Sequence, residues 1–195
     1  AFQKANDSSE RKERMNQYFK ELQEQNSPIK VVAPEINIAS NKTTFKDNNI
    51  YLPLNNIKYL SDNGVEEIIK ERHDNGDFYS FEEFLSRLGK EKKLDKREFQ
   101  NLILSGVFDE IEGIEFPKDR KVLIQKLYKF FKKDYIREFV TDKFQENDLW
   151  WQLKQMELIG IDSIDFRKLT NRYFEKYRFF TSYPKDELED QNANF

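Results

Sequence analysis

Residues 95–109 read DKREFQNLILSGVFD, and this stretch decides the fold. Asp95 and Glu98 have the spacing of a capping box, in which each side chain accepts a hydrogen bond from the other residue's backbone amide at a helix start. An apolar helix face follows, made of Phe99, Leu102 and Ile103. Residues 104–108 then interrupt the pattern around Gly106, so the sequence predicts a helix that ends in a tight turn.

Helices are also predicted on both sides of this stretch. Ser80 and Glu83 form a second capping box, and an amphipathic helix around Ile68 ends in the turn at residues 74–77. Further helices are expected over residues 7–25, 147–159 (with the apolar stripe Leu149, Leu153 and Met156) and 163–180, and a long helix or a broken pair is expected over 118–144. Helix–turn–helix units recur around residues 53–73 and 95–112, so the predicted fold class is mainly α.

The predicted sheet is small. Residues 29–40 are extended in character because they combine β-branched residues with an alternation at Ile36 and Ile38. Residues 43–45 and 50–52 flank a turn centred on Asp and Asn, which tolerate left-handed conformations. A short β-hairpin is therefore expected, and it is the only sheet that the sequence predicts.

The composition excludes several classes of site. The 195 residues include no Cys, which excludes disulfides, thiolate zinc sites and cysteine nucleophiles. The single His73 lies at a predicted helix end, where a surface role is favoured over catalysis. Six Gly, none of them in a phosphate-loop pattern, argue against nucleotide fingerprints. Paired acids such as Glu66 and Glu67 are typical of solvated helix faces, so no metal and no cofactor are expected.

Charge and hydropathy restrict the partners. The net charge is −3, so any contact with nucleic acid must be a local basic patch. No apolar run approaches the roughly 20 residues of a membrane span, and no membrane partner is expected. The chain begins at Ala1 without a leader-like segment, which favours a cytoplasmic location.

Two segments are candidates for contact with other macromolecules. The turn at Ser105 and Gly106 is suited to present backbone amides to a phosphate, and the cations just before it could supply counter-charge, namely Lys90, Lys92, Lys93, Lys96 and Arg97. Of these, Lys92, Lys93 and Lys96 are the predicted phosphate partners. A solvated loop is the alternative explanation for these lysines. A second segment carries the polar and large apolar side chains of a pocket-anchored peptide, namely Gln145, Asp148, Leu149 and Trp150. For Trp150 or the adjacent Trp151, a place in the core is the alternative.

Four ordered segments carry a resemblance to a known family. They read VVAPEINIAS at 31–40, LPLNNIK at 52–58 followed by VEEIIKER at 65–72, GDFYSFEEFLSR at 76–87, and REFQNLILSGVFD at 97–109. In this order and spacing they resemble the bacterial DNA polymerase III alpha subunit, C-terminal to its catalytic centre. Residues 155–169 resemble that family faintly and lack its His-Pro pair.

The resemblance implies a pair of helix-hairpin-helix units that contact the sugar–phosphate backbone of duplex DNA. The hairpin residues that it implies are Lys58, Tyr59, Ser61 and Gly64 in the first unit and Ser105 and Gly106 in the second. The family has Gly-x-Gly where this chain has Tyr59-Leu60-Ser61, and Gly allows a positive φ and a close phosphate approach. Tyr59 and Ser61 are therefore expected to block or reshape that approach, whereas Lys58 remains as a phosphate contact.

The predicted organisation has four parts. They are a fingers-like end at 1–52 with a helix, an extended segment and a short hairpin, a tandem helix-hairpin-helix module at 53–112, a helical extension at 113–183 and a polar tail at 184–195. The resemblance implies a non-catalytic segment of a replicative DNA polymerase, because the family's catalytic Asp residues lie elsewhere. Such a segment positions duplex DNA and is inactive as a nucleotidyltransferase alone. The alternative is a protein-docking scaffold with degenerate hairpins that contacts the sliding clamp or another replisome subunit.

Overall fold

Six α-helices and one three-stranded sheet form the part of the chain that the computed structural model describes. These residues are 28–90, 93–131 and 148–159, together with the helical positions Arg14, Gln17 and Glu21. They belong to the compact unit Ala1–Asp165. The predicted mainly α class with a short hairpin is confirmed. The predicted helices at 7–25, apart from those three positions, and at 163–180 lie outside the described residues.

The sheet contains one strand more than the sequence predicts. Strands β2 (Thr44–Lys46) and β3 (Asn49–Tyr51) pair antiparallel and confirm the predicted hairpin. Its two turn residues, Asp47 and Asn48, have φ of 50° and 57°, which is the left-handed geometry of the favoured two-residue hairpin turn. Strand β1 (Lys30–Val32) pairs parallel with β3, so the strand order is β1-β3-β2.

The extended interpretation of residues 33–40 is wrong. The amides of Ile38 and Ala39 both donate to the carbonyl of Glu35, at 3.0 and 2.7 Å, and these bonds make a turn. Ile36 and Ala39 are fully buried as a result. The alternation of apolar residues resembles that of a strand, but Ile36 and Ala39 pack into the core formed with the helices. The amide of Ile36 also donates to the carbonyl of Val107.

The helices begin and end where local signals place them. They are α1 (Asp62–Asn75), α2 (Phe81–Gly89), α3 (Lys96–Leu104), α4 (Asp109–Glu112), α5 (Lys121–Phe130) and α6 (Asp148–Ile159), with 3-10 turns at Leu54–Asn56 and Pro117–Arg120. The capping box of Asp95 and Glu98 is complete in both directions. At α2, Ser80 accepts from the amide of Glu83, but the carboxylate of Glu83 accepts from the amide of Tyr79 at 2.8 Å rather than from that of Ser80.

One of two predictions about the later helices needs correction. The long helix or broken pair expected at 118–144 starts as the 3-10 turn Pro117–Arg120 and continues as α5, while residues 132–147 lie outside the described part. Helix α6 lies where expected, but its buried face is Trp151, Gln155, Leu158 and Ile159. Leu153 and Met156 are only half-buried, because the polar Gln155 faces inward to satisfy buried partners.

Phenylalanine rings join the helices into one core. Phe84 meets the rings of Phe78, Phe99 and Phe108 edge-on, at centroid distances of 4.8, 5.6 and 4.9 Å. Such edge-to-face pairs add stabilisation beyond the area that they bury. The same cluster includes Ile36 from the turn after β1 and Trp151 from α6, so elements distant in sequence share one core. In the described part of the chain, no helix combines the length and apolar character that crossing a membrane requires.

Candidate nucleic-acid interface

The first hairpin keeps a left-handed backbone although it lacks glycine at that position. Tyr59 has φ of +64°, in a region where an L side chain costs about 1–2 kcal/mol. The sequence predicts that Tyr59 blocks or reshapes the approach of a phosphate, and this stays a prediction. The turn itself is formed with the tyrosine in place, and the Tyr59 side chain is directed outward, leaving 57% of the residue exposed.

Cations lie beside this tyrosine. The guanidinium carbon of Arg97 is 4.0 Å from the centroid of the Tyr59 ring, and both residues are exposed. The neighbouring Lys58 is exposed as well. Lys58 and Tyr59 are predicted at this hairpin from the sequence, whereas Arg97 is expected only among the cations ahead of the second hairpin. The signal was its place in the first turn of α3, on the face opposite Leu102, where a side chain is directed away from the core.

The N-terminus of α1 adds backbone donors to the same surface. Ser61 is the N-cap and its hydroxyl accepts from the amide of Gly64 at 2.9 Å. The amides of Asp62 and Asn63 find no acceptor among the described residues. Free amides at a helix start attract anions, because the helix dipole gives this end a partial positive charge.

One position of this hairpin already holds an anion from the chain itself. Glu98 Oε1 accepts from the amide and the hydroxyl of Ser61, at 3.1 and 2.6 Å, while Oε2 accepts from the amide of Asp95 at 2.9 Å. A Cβ on Gly64 would lie 2.8 Å from Glu98 Oε1, so this contact requires glycine. Of the two residues expected as phosphate contacts here, Ser61 donates to the carboxylate of Glu98, a residue only 8% exposed, and the amide of Gly64 donates to the Ser61 hydroxyl.

The second hairpin differs from the expectation because it is buried. Ser105 and Gly106 are enclosed, and their amides donate to the carbonyls of Asn101 and Ile103, at 2.9 and 3.0 Å. The Ser105 hydroxyl donates to the carbonyl of Leu102 at 2.9 Å. The φ of Gly106 is +80°, as a helix-terminating turn requires. Neither residue is placed to contact a DNA backbone in this structure, since their donors are used internally.

A buried arginine fills the space at this second hairpin. Arg120 is fully buried and donates to both carboxylate oxygens of Asp109, to the carbonyl of Leu104 at 3.1 Å, and to Oε1 of Gln155 at 3.1 Å. Gln155 Nε2 in turn donates to the carbonyl of Ser105 at 2.8 Å. Burial raises the pKa of the Asp109 carboxyl, and the Arg120 guanidinium opposes that rise. These hydrogen bonds supply donors to the carbonyls of Leu104 and Ser105 at the C-terminal end of α3.

Two of the three predicted phosphate lysines, Lys93 and Lys96, have partners within the chain. Lys93 Nζ donates to Glu71 Oε2 at 3.0 Å and lies 4.0 Å from Glu67. Lys96 Nζ is 3.7 Å from the centroid of the Tyr128 ring. Lys92 lies outside the described residues. Lys93 is thus held in an ion pair and not in a freely solvated loop, and the phosphate contact of the three lysines stays a prediction.

Glu71 anchors a second polar cluster at the ends of α1 and α2. Burial on its own would raise the pKa of Glu71, but hydrogen bonds from Arg87, Lys93 and Asn75 outweigh it and hold the pKa below its ordinary value. Arg87 Nε donates to Glu71 at 3.0 Å, and the same guanidinium lies 4.2 Å from the centroid of the Phe78 ring. The cluster fastens α1 to α2 and is structural.

The predicted protein-binding segment is only partly visible. Gln145 lies outside the described residues, and for Asp148 and Leu149 the structure describes the helical backbone alone. Trp150 is half-buried against the core, and its ring meets that of Trp151 edge-on at 5.1 Å. Trp151 is buried, which confirms its interpretation as a core residue. The clamp-type contact of Gln145, Asp148, Leu149 and Trp150 stays a prediction.

Metal chemistry finds no support in the described residues, where no group of three or more His, Asp or Glu side chains converges on one point. His73 is exposed in the last turn of α1 and contacts Asp74 at 2.9 Å, so its predicted surface role is confirmed. The functional groups that the described residues offer are thus cationic side chains, an aromatic ring and backbone amides at a helix start.

Comparison with known proteins finds relatives that match most of this chain over a small part of their own length. Residues 28–119, which include both hairpins, match the helix-hairpin-helix motif family. The chain is 32% identical over 136 residues to DNA polymerase III subunit alpha of Borreliella burgdorferi, across 67% of this chain and 11% of that protein. This chain is a relative of DNA polymerase III subunit alpha. The resemblance drawn from the sequence is confirmed.

Other relatives carry the same name. The Buchnera aphidicola DNA polymerase III subunit alpha is 28% identical over 177 residues, across 84% of this chain and 15% of that protein. The Deinococcus radiodurans protein is 36% identical over 81 residues, across 42% of this chain and 6% of that protein. The chain thus spans between about a twentieth and a seventh of these alpha subunits. The helix-hairpin-helix match ends one residue before Arg120, so Arg120 and Gln155, which bind the second hairpin, lie outside it.

Proposed function

We propose that this segment positions duplex DNA, without reading its sequence, within a replicase of the DNA polymerase III alpha type. The observation that carries this proposal is the exposed group of Lys58 and Arg97 beside the open amides of Asp62 and Asn63. Contacts of Lys, Arg and helix N-termini with phosphate oxygens orient a protein on DNA without sequence information. Membership of the helix-hairpin-helix family supports the same role.

The segment is proposed to act without catalysis of its own. The resemblance implies that the catalytic Asp residues of the parent polymerase lie in another part of it, so no nucleotide incorporation is expected from this chain alone. A replication role further implies work in the cytoplasm, where bacterial DNA is copied. The basic group is small and the net charge is −3, so the segment should bind DNA weakly by itself and contribute mainly to alignment.

Salt-dependent binding to a short blunt duplex tests this proposal. Two phosphate contacts predict a slope of about −2 in a plot of log affinity against log salt concentration, and Lys58→Ala or Arg97→Ala should reduce that slope by about 1. Lys70→Ala is the matched control, because Lys70 is an exposed lysine on α1 and lies about 12 Å from Asp62 along the helix axis. Equal effects of all three substitutions would contradict a contact at the hairpin.

A docking scaffold is the second candidate function, and a specific observation favours it. Both hairpins hold side chains of the chain itself, Glu98 at the first and Arg120 with Gln155 at the second. Absence of duplex binding at about 50 mM salt would reject DNA positioning by this segment and favour the scaffold. Titration of the unsubstituted chain and of Gln145→Ala with purified sliding clamp would then test the predicted peptide contact.

A further inference from the structure

Tyr59 combines properties that a surface residue in a turn seldom has. Its residue surface is 57% exposed, its φ is +64°, and the guanidinium of Arg97 lies over its ring at 4.0 Å. Among the described residues, three other large apolar side chains are exposed, namely Phe45, Tyr79 and Val122. Neither Phe45 nor Tyr79 has a cation over its ring among the described contacts. Tyr59 is thus an open ring with a fixed cationic neighbour.

The backbone at Tyr59 is strained by the side chain that it carries. Glycine would adopt a φ of +64° without steric penalty, whereas a tyrosine does so at a cost in stability. Strain of this kind persists only where the surroundings hold it, and it is concentrated at functional sites. The core does not use this ring, because it is exposed. The use of the ring must therefore be sought outside the chain.

The chemistry of the surroundings indicates the ligand. Arg97 covers one face of the ring, so a planar ligand has the other face and the edge available. Lys58 and the amides of Asp62 and Asn63 lie next to Tyr59 in the chain and favour an anionic group on that ligand. A planar π system joined to a phosphate is a nucleotide whose base is not stacked in a helix. Bases inside a duplex keep their faces covered by their neighbours and offer no face to a protein ring.

We propose that Tyr59, backed by Arg97, is a stacking platform for an unpaired nucleobase at the end or junction of bound DNA. This inference rests on the proposed function, because Lys58 and the helix amides would hold the adjoining phosphates. Stacking of a base on an aromatic side chain tolerates any base, so the platform distinguishes unpaired from paired DNA and not one sequence from another. Tyr59 would then direct the binding of the first hairpin to an end or junction of the DNA that carries an unpaired base.

Binding of the whole chain to matched DNA probes tests the platform. The probes are a blunt duplex, the same duplex with a single-stranded tail, and the tailed duplex with abasic sites in the tail. The tailed duplex should bind about fivefold or more tighter than the blunt one, as expected for one stacked base. The abasic tail should lose that advantage, because it keeps the phosphates and lacks the bases.

Substitutions at Tyr59 separate the ring from the backbone strain. Tyr59→Phe keeps the ring and should keep the preference for the tail. Tyr59→Ala and Tyr59→Gly both remove the ring and should abolish the preference, although only glycine relieves the strain at positive φ. Tyr79→Ala removes another exposed ring, 81% exposed, and should change nothing. Each variant is checked for its fold by its thermal unfolding curve.

The outcomes distinguish this inference from the proposed function. Blunt-duplex binding that depends on Lys58, without any preference for the tail, would overturn the platform and leave DNA positioning intact. A tail preference that survives in Tyr59→Ala and Tyr59→Gly would overturn it too. No binding to any probe at low salt would remove both the platform and DNA positioning.

Discussion

Glu98 Oε1 accepts hydrogen bonds from both the backbone amide and the hydroxyl of Ser61, which lies 37 residues earlier in the chain. The other carboxylate oxygen completes the capping box of α3 through the amide of Asp95. Ser61 in turn caps α1. One carboxylate therefore fastens the starts of two helices and sets the position of the first hairpin relative to α3, which carries Arg97.

Replacing this carboxylate with an amide should destabilise the fold. In Glu98→Gln the side-chain NH₂ group must face a backbone donor at either Ser61 or Asp95, and the free energy of unfolding should fall by about 1–3 kcal/mol. Urea unfolding measures this. Glu66→Gln is the control, since Glu66 is exposed on α1, and it should change stability by less than about 0.5 kcal/mol. Equal effects of the two substitutions would show that the Ser61 contact contributes little.

Gly64→Ala should change the sign of its effect with the residue at position 98. In the parent chain the new Cβ would lie 2.8 Å from Glu98 Oε1, so the carboxylate must move and stability should fall. In a Glu98→Ala background that obstacle is gone, and the higher helix propensity of alanine should raise stability by up to about 1 kcal/mol. A double-mutant cycle measures the difference, and purely additive effects would refute it.

Arg120→Met should destabilise the chain by about 3–5 kcal/mol, because it leaves the Asp109 carboxylate buried without its cation. The carbonyls of Leu104 and Ser105 also lose support, the first directly and the second through Gln155. Chemical denaturation followed by tryptophan fluorescence reports the change, since Trp151 is in the core. Arg97→Ala is the control at an exposed arginine. A loss no greater than that of the control would disprove a structural role for the buried guanidinium.

Acid should weaken the contact between α1 and α2 through Glu71. The pKa of Glu71 is lowered in the folded chain relative to an ordinary value of 4.5, so its ionised form favours folding. That contribution is fully present above pH 4.5 and is lost as the pH falls through the lower folded-state pKa. Melting temperatures measured between neutral pH and pH 3 should decline less steeply in Glu71→Gln. An unchanged slope would mean that other carboxylates dominate.

Tyr59→Gly should be more stable than Tyr59→Ala by roughly 1 kcal/mol, because only glycine adopts a φ of +64° freely. Both variants lack the ring, so the loss of the contact with Arg97 cancels in the comparison. Thermal unfolding of the two proteins side by side measures the difference. If the alanine variant proved equally stable, the left-handed turn would not be strained in solution.

Local signals predicted most of the elements. The capping box of Asp95 and Glu98 and the hairpin turn at Asp47 and Asn48 depend on residues within a few positions of one another, and the structure contains both. The sequence predicts an extended segment at Ile36 and not a turn, because alternating apolar residues do not show whether their side chains pack on a sheet or against helices. The inward face of α6 was missed because a buried Gln155 is stable only with Arg120 and the carbonyl of Ser105 as partners.

The sequence by itself determined the family, the helical class and the place of both hairpins, because each depends on short-range spacing and turn chemistry. Only the tertiary structure decided what each hairpin can contact. Folding brought Arg120 into the second hairpin and Glu98 onto Ser61, since buried charges and helix ends must find partners wherever the chain supplies them. It also placed Arg97 on the ring of Tyr59. The exposed first hairpin is consequently the surface on which the proposed DNA contact depends.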